Sequence, residues 1–237
     1  MGSGIKTKNK NWEEHGLFHL ADSTYKENQL KILELLRGIR SDNLLDIGCS
    51  DGGFTIECAR VIGAKELYGI EIAEKEAKEA ESKGIKVFIR DASANFPFDD
   101  EYFEVIVANQ VLEHVIDIDN MLRESKRVLK RDGVLVLSTP NLCSLLQRLL
   151  VFVGQQPTTL HVSEIQVGNF LKGVKASGHV HAFSPPALSD LVRYHGFKIE
   201  RFVGVGFYPF GAGLARVLAK LSRNTSVYLI VKARKQT

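Results

Sequence analysis

LLDIGCSDGGFT, residues 44–55, is the stretch that decides the fold of this chain. Its first residues predict a buried strand, and its glycines predict a tight turn that leads into a helix at about Gly53. Glycines let the backbone come close to a ligand, and the free N–H groups at a helix start attract an anion. A plain tight turn explains this stretch equally well on its own, so the rest of the chain must decide whether it forms a site.

Outward from this turn, strand-like and helix-like segments alternate along the chain. Such alternation is typical of a mostly parallel β-sheet that helices cover on both faces, and we therefore predict an α/β fold. The predicted strands are residues 43–47, 66–71, 86–90, 103–108, 134–138, 197–205 and 226–233.

Helix boundaries follow from capping residues and glycines. Thr24 together with Glu27 resembles a capping box and predicts the start of a helix that covers the sheet. The helix after the fourth strand is predicted to end at Gly133, and a later helix spans residues 184–196. Residues 211–222 are also predicted to be helical.

Between residues 141 and 178 the alternation stops, which predicts an insertion that caps the pocket. Its leucine-rich part, residues 142–152, has two interpretations. Packing against the sheet is the commoner use of such residues, and the alternative is an apolar lid over a lipid, quinone or other apolar acceptor. The N-terminal segment 12–25 and the aromatic segment 207–210 are expected to add to this cap.

Composition restricts the classes of function. A formal net charge of +3 is too small to indicate a nucleic-acid partner, and the basic stretches at residues 6–10 and 232–235 are interpreted as solvated tails. No apolar run reaches the roughly 18 residues of a membrane span. The three cysteines lack paired spacing, which argues against a disulfide framework or a zinc site. We therefore expect a cytoplasmic protein with no nucleic-acid partner and no integral membrane segment.

Polar residues stand at or near the ends of four successive predicted strands: Asp46, Glu71, Asp91 and Asn109. Carboxyl ends of neighbouring parallel strands lie on the same rim of a sheet, so these side chains are expected to converge. Glu71 follows the glycine turn by about 20 residues, where a carboxylate can accept both hydroxyls of a ribose. The four residues together predict an adenosine-binding rim.

With these residues in place, the chain resembles the class I S-adenosylmethionine-dependent methyltransferases, and within them the branch that includes ubiquinone- and menaquinone-biosynthesis enzymes. The motifs that carry the resemblance are LDIGC at 45–49, DA at 91–92, FPFDD at 96–100, FEVI at 103–106, VLEHV at 111–115, LKRDGVL at 129–135, STPN at 138–141 and HVHAFS at 179–184. The resemblance implies a Rossmann-like three-layer sandwich whose seven-stranded sheet is mostly parallel, with one reversed strand near the C-terminus and a helical cap insertion.

The resemblance also implies a cofactor, S-adenosyl-L-methionine, with S-adenosyl-L-homocysteine as its product. The turn of Gly48, Cys49, Ser50 and Gly52 would hold the methionine part, with Asp46 supporting the turn and the amino group. The family usually has glycine at Ser50, and a serine fits there if its φ is negative. The remaining implied contacts are Glu71 to the ribose, Ile72 against the adenine, Asp91 and Ala92 at the adenine edge, and Asn109 and Gln110 beside the methyl donor.

Attack on an activated sulfonium methyl needs alignment more than acid–base groups. An oxygen acceptor also needs a base, and His114 is the candidate catalytic residue. Tyr25, His179 and His181 are the candidate substrate contacts. The two later histidines suggest a metal pair, but no third or fourth ligand is evident in the sequence, so no metal site is predicted.

We therefore predict methyl transfer to a small, apolar acceptor by a monomer or homodimer. Two alternatives stay open: an NAD(P)-dependent oxidoreductase, which expects a middle glycine where Ser50 stands, and a cofactor-binding protein without turnover. The single domain is expected to divide into covering helices at 1–42, the cofactor-binding core at 43–141, the cap insertion at 142–178 and the last part of the sheet at 179–237.

Overall fold

The computed structural model describes residues 16–207 and 222–236. The elements in chain order are α1 (Gly16–Leu36), β1 (Asn43–Ile47), α2 (Gly53–Ile62), β2 (Glu66–Glu71), α3 (Glu74–Ser82), β3 (Lys86–Ile89), β4 (Phe103–Asn109), α4 (Ile118–Val128), β5 (Leu129–Pro140), α5 (Leu145–Phe152), α6 (Pro185–Tyr194), β6 (Phe197–Val205), a 3-10 turn (Arg223–Thr225) and β7 (Tyr228–Lys235). The helix predicted at 211–222 lies almost wholly outside the described residues, as do positions 12–15 and 208–210 of the predicted cap.

The seven strands of the described residues form one sheet in the order β3-β2-β1-β4-β5-β7-β6. Strands β1 to β5 run parallel, whereas β7 is antiparallel to both β5 and β6. The predicted mostly parallel sheet with one reversed strand is thereby confirmed. The strand order changes direction between β1 and β4, and open α/β sheets bind ligands in the crevice at that point.

Apolar side chains of the strands alternate between two faces, and helices bury each face. Helices α1 and α2 cover one face, which includes Ile32, Leu36, Leu44, Cys58, Ile62, Val105 and Val107. Helices α4 and α6 cover the other, which includes Leu45, Ile47, Ile106, Met121, Leu122, Leu188 and Val192. All of these side chains are buried, and each fully buried aliphatic side chain contributes about 1.5–3 kcal/mol. The three-layer sandwich is therefore held from both sides.

The boundary between α4 and β5 differs from the prediction. Helix α4 ends at Val128, and β5 begins at once with Leu129, which pairs with Phe103 of β4. Because Leu129 pairs with β4, the chain is already part of the sheet four residues before Gly133. A Cβ on Gly133 would come within 2.6 Å of the Leu129 side chain, so this glycine serves close packing and does not end the helix.

Two predictions near the chain ends are also wrong. Thr24 lies inside α1, so it does not cap that helix. Residues 232–235 belong to β7 and are not a solvated tail. The Lys232 side chain is only 15% exposed and donates from Nζ to the Leu35 carbonyl of α1 at 3.1 Å, a contact that sequence composition cannot reveal.

Residues 142–178 contain helix α5 and otherwise turns with an isolated β-bridge. Helix α5 has apolar side chains on both its inner and its outer face: Leu150 is buried, while Leu149 and Phe152 are exposed. The leucine-rich segment therefore packs against the protein on one side only, and much of its apolar surface faces outward.

No helix among the described residues combines the length and the apolar character needed to cross a membrane.

Candidate active site

A cavity of about 490 Å³ opens at the carboxyl ends of β1, β2 and β4. Eight of the predicted cofactor contacts line it: Gly48, Ser50, Glu71, Ile72, Asp91, Ala92, Asn109 and Gln110. Tyr25 and His114 line it as well. The sequence did not predict the contributions of Ile70, Arg90, Val111, Val115 and Ile116. We call this space the strand-end cavity.

The glycine turn is shaped for close approach of a ligand. Gly48 has φ +72°, and a Cβ there would come within 2.4 Å of the Val111 side chain, so only glycine fits. A serine was expected to fit here if its φ is negative, and that condition is not met, because Ser50 has φ +47°. The left-handed conformation costs a residue with a side chain about 1–2 kcal/mol. The Ser50 N–H donates to Glu71 Oε2 at 2.9 Å, which helps to hold the turn in this shape.

Backbone N–H groups fix the Glu71 carboxylate at the end of β2. Its Oε1 accepts from the N–H groups of Ile72 and Ala73, each at 2.8 Å, while Oε2 accepts from Ser50. Asp91, on the neighbouring strand end, accepts from the Ser93 N–H at 2.7 Å. Two carboxylates are thus presented along one wall of the strand-end cavity, where hydroxyl and amino groups of a ligand can donate to them.

Two exposed isoleucines line the same cavity. Ile72 is 67% exposed and Ile116 is 74% exposed, although both side chains are large and apolar. Covering such surface with a flat apolar ring is favourable by about 25 cal/mol per Å² buried. Together with the carboxylates and the glycine cradle, these walls fit an adenosyl group.

Three predicted cofactor contacts are not among the residues that line the cavity: Asp46 in β1, and Cys49 and Gly52 within the turn itself. Asp46 is buried, and its Oδ2 accepts from Thr55 Oγ1 at 2.6 Å. Burial raises the pKa of Asp46 to about 7, despite the opposing hydrogen bond from Thr55. Burial also raises the pKa of the Cys49 thiol, which keeps it protonated and unreactive. Gly52 packs against Ile85.

A chain of buried amides and hydroxyls supports the cavity from α1. Asn28 donates from Nδ2 to Asn109 Oδ1 at 2.7 Å, and its Oδ1 accepts from Ser138 Oγ at 2.7 Å. Gln110, at φ +59°, donates from Nε2 to Ser138 Oγ at 2.8 Å. Burial raises the pKa of Tyr25, so its hydroxyl stays a donor beside Asn109. Asn28 is not among the residues that the sequence predicted, although its position four residues before Ile32 and eight before Leu36 places it on the same, buried face of α1.

Three imidazoles meet beside the end of β4. The His179 ring centroid lies 4.9 Å from that of His114 and 4.8 Å from that of His161. One ligand atom each from Glu113, His114 and His179 lies within 4.8 Å of the others, a group that could hold a metal ion. The sequence did not show this group, because the segments that meet here are far apart along the chain.

His181, a predicted substrate contact, lies outside this group. Its Nε2 is 3.3 Å from the Ile116 carbonyl, and it lines neither the strand-end cavity nor the second cavity that follows below.

Glu113 is the buried residue of this cluster, and it links the end of β4 to the segment that carries His179. It is 2% exposed, and its Oε2 accepts from Thr139 Oγ1 at 3.0 Å. Burial raises the pKa of Glu113 to about 7. Its carbonyl accepts from the N–H of Val180 at 2.8 Å, which ties the segment carrying His179 to the end of β4.

A second cavity, of about 320 Å³, lies between the sheet and residues 142–178. We call it the cap cavity. Its lining consists of Gln110, Pro140, Asn141, Ser144, Leu146, Gln147, Thr158, Thr159, Ser177, His179, Val227 and Tyr228. Gln110 lines both cavities, and the contact between His114 and His179 forms a second link between them. Two ligands could therefore meet at Gln110.

Comparison with known proteins agrees with this geometry. A family model described as a methyltransferase domain matches residues 19–201. An uncharacterised protein of Methanocaldococcus jannaschii is 36% identical over 120 residues, which cover 49% of this chain and 55% of that protein. A ubiquinone biosynthesis O-methyltransferase of Pelagibacter ubique is 27% identical over 214 residues, which cover 87% of this chain and 82% of that protein.

A solved structure of an S-adenosylmethionine-dependent methyltransferase from Mesorhizobium loti has the same fold. Its TM-score is 0.61 at 19% identity, over 87% of this chain and 97% of that one. The strand-end cavity fits an adenosyl group, and the family match extends over most of the chain. The chain therefore belongs to the methyltransferase domain family and is an S-adenosylmethionine-dependent methyltransferase.

Proposed function

We propose that this enzyme methylates a small molecule held in the cap cavity while the donor occupies the strand-end cavity. The observation that carries the proposal is that Gln110 lines both spaces. A volume of about 320 Å³ lies within the range of pockets that hold small organic molecules. The Pelagibacter relative, by its name, also acts on a small molecule.

In this proposal the chain acts mainly by holding two reactants in line. The bound donor supplies a methyl group that its sulfonium already activates. Glu71 and Asp91 would orient the adenosine, and Ile72 with Ile116 would enclose its ring. A well-aligned pair of reactants reacts as if one of them were present at about 10⁵–10⁸ M, so positioning supplies much of the rate.

Several finer expectations belong to the same proposal. Residues 142–178 act as the cap of a single domain, the protein works as a monomer or homodimer, and the reaction takes place in the cytoplasm without a nucleic-acid partner. The three cysteines are free, which agrees with a reducing compartment. His114, between the two cavities, stays a candidate for contact with the reacting groups.

The proposal is tested with S-adenosylmethionine that carries a labelled methyl group. The enzyme is incubated with a metabolite fraction from which proteins and nucleic acids have been removed, and separately with the retained macromolecules. Label is expected in a small product of the first fraction. Label in macromolecules would contradict the proposal, and binding of the donor without any labelled product would favour the cofactor-binding alternative without turnover.

The oxidoreductase alternative is not favoured. Ser50 stands where a dinucleotide-binding turn has its middle glycine. The family match is to methyltransferases over residues 19–201.

A further inference from the structure

We propose that the outer surface of the cap docks on an anionic lipid bilayer, so that the enzyme works at the surface of a membrane. We call this part of the molecule the cap surface, and it consists of the exposed apolar side chains between residues 149 and 170. The docking is separate from the methyl transfer itself and does not depend on which acceptor is methylated.

Exposed apolar side chains are concentrated in this short part of the chain. More than half of the large apolar side chains that are exposed among the described residues lie between residues 149 and 170. Phe152 is the most exposed of this group at 88%, and Val162 follows at 72%. Single exposed apolar side chains are ordinary on a protein surface, whereas a concentration of them marks an interaction site.

Helix α5 presents part of the cap surface as a stripe. Leu149 is followed after three residues by Phe152 and after four by Val153, the C-terminal cap of the helix, which places all three on one side. Gln147 and Leu150, on the inner side, are buried against the protein. A helix that rests on the protein with one face and exposes apolar side chains on the other can insert that outer face into the interface of a bilayer.

Hydrogen bonds hold the loop after α5 against this helix. The Gln147 side chain accepts from the Thr158 N–H and donates to Thr158 Oγ1, each at 2.8 Å. The Gln156 N–H donates to the Gly168 carbonyl at 2.9 Å, which places the chain near Phe170 beside the segment that follows α5. The exposed apolar side chains of the helix and of the loop therefore belong to one connected unit.

The charges in and around the cap surface favour anionic lipids. A quarter of the whole chain is charged, yet Glu164 is the one charged residue between positions 149 and 171. Arg148, Lys172 and Lys175 flank this stretch, and all three are exposed. In the described part of the chain none of the three pairs with a carboxylate, and Arg148 donates from Nε to the Cys143 carbonyl at 2.7 Å. Their positive charges are therefore available to anionic headgroups.

A second copy of this chain is a less suitable partner for the cap surface. A two-fold dimer brings the same patch of both copies into contact. Three cations and one carboxylate of each copy would then face the same set, and like charges repel. An anionic bilayer instead offers opposite charge to the flanking cations and an apolar layer to the side chains between them.

Docking in this orientation would place the cap cavity next to the membrane. Leu146 and Gln147 of α5 line that cavity, so this one helix separates it from the cap surface. A helix with its side chains is about 10–12 Å across. An acceptor dissolved in the bilayer would therefore have a short path to the enzyme, a consequence that rests on the proposed function.

Co-sedimentation of the full chain with lipid vesicles tests the proposal. Vesicles of phosphatidylcholine alone are compared with vesicles that contain about 30% phosphatidylglycerol, at about 0.1 M and about 0.5 M salt. We expect about tenfold tighter binding to the anionic vesicles at the lower salt concentration, and weaker binding at the higher one because the headgroup charge is screened. Absence of binding to the anionic vesicles, or equal binding to both kinds, would overturn the proposal.

Phe152→Ser removes the most exposed apolar side chain of the cap surface. Binding to the anionic vesicles is expected to weaken about tenfold, because burial of this ring contributes to insertion. Tyr194→Ser is the matched control, since Tyr194 is an aromatic residue of α6 that is 84% exposed outside the cap, and it should bind as wild type does. Wild-type binding by Phe152→Ser would contradict the assignment of the surface.

The double variant Lys172→Gln with Lys175→Gln tests the charges separately. It keeps every apolar side chain of the cap surface and is expected to lose most of the preference for anionic over neutral vesicles. An unchanged preference would contradict the role of these cations.

Sedimentation velocity without lipid distinguishes self-association from membrane docking. A wild-type dimer that Phe152→Ser converts to a monomer would assign the cap surface to a second copy and overturn the proposal. Binding of S-adenosylhomocysteine in solution is expected to be equal in wild type and in all three variants. Its absence in wild type would count against the proposed function and not against the docking surface, so the two failures are distinguishable.

Discussion

At the scale of single residues, the backbone of Ser50 is strained. It holds φ +47° although it carries a Cβ, and its side chain makes none of the hydrogen bonds described above, since only its N–H is engaged. The turn around it therefore stores strain that glycine would release.

Ser50→Gly is expected to raise the free energy of unfolding by about 1 kcal/mol, because relief of the left-handed strain outweighs the extra freedom of glycine in the unfolded chain. This corresponds to a rise in melting temperature of about 2–4 °C. Ser50→Ala, which keeps the Cβ, is the control and should show no rise. Equal stabilisation by alanine would mean that the hydroxyl, and not φ, was unfavourable.

Glu71→Ala is expected to weaken binding of S-adenosylhomocysteine about 100-fold or more, because two hydrogen bonds to a charged group are lost at roughly 1.5–3 kcal/mol each. Isothermal titration calorimetry measures this directly. Glu74→Ala, on the exposed start of α3, is the matched control and should keep the wild-type affinity. Unchanged affinity of Glu71→Ala would remove the ribose assignment.

The sequence revealed the rim residues because each stands at a strand end. Parallel pairing of β1 with β2 and β4 places Glu71, Asp46 and Asn109 on one edge without any knowledge of distant contacts. The left-handed φ of Ser50 was not predictable in this way, since it depends on the contact with Glu71 across 21 residues.

At the scale of elements, Asn28 ties α1 to the ends of β4 and β5. It is fully buried and bonds to Asn109 and Ser138, which follow it by 81 and 110 residues. These contacts could not be predicted from local pattern, and neither could the end of α4, where pairing of Leu129 with β4 overrides the glycine signal.

Asn28→Ala is expected to lower the free energy of unfolding by about 2–3 kcal/mol, because two hydrogen bonds are lost and their partners are left unpaired. The melting temperature should fall by about 4–10 °C. Leu30→Ala on the same helix, where the side chain is 54% exposed, should change little. Equal effects of the two variants would mean that the amide bridge contributes no more to stability than a half-exposed side chain on the same helix.

At the scale of the whole molecule, two buried carboxyls link stability to pH. The pKa values of Asp46 and Glu113 are raised to about 7 in the folded protein, against about 4 in an unfolded chain. The folded state therefore retains protons that the unfolded state has lost. This contribution is fully present below about pH 4 and is lost as the pH rises through 7.

Urea unfolding at pH 5.5 and 7.5 checks this linkage. Wild-type protein is expected to lose stability between the two values by up to about 1.4 kcal/mol per pH unit for each group. The double variant Asp46→Asn with Glu113→Gln keeps acceptors for Thr55 and Thr139 and should show a flatter dependence. An identical dependence in both proteins would mean that neither carboxyl is protonated in the folded state.

The sequence predicts the architecture of the sheet better than it predicts the cap cavity. Alternating segments predict the sheet, and residues at strand ends predict the strand-end cavity, because both follow the regular geometry of a parallel sheet. The cap cavity arises where the irregular segment 142–178 meets the ends of β4 and β5. The histidine cluster, of which His179 lines this cavity, joins residues from three separate stretches. No periodicity encodes such contacts.

The most direct test of the central claim is calorimetric titration of the purified, folded protein with S-adenosylhomocysteine, with NAD as the comparison ligand. A single saturable site for the homocysteine compound, competed by S-adenosylmethionine, and no heat from NAD are expected. Binding of NAD, or a folded protein that gives no signal with either adenosyl compound, would contradict the assignment of the strand-end cavity.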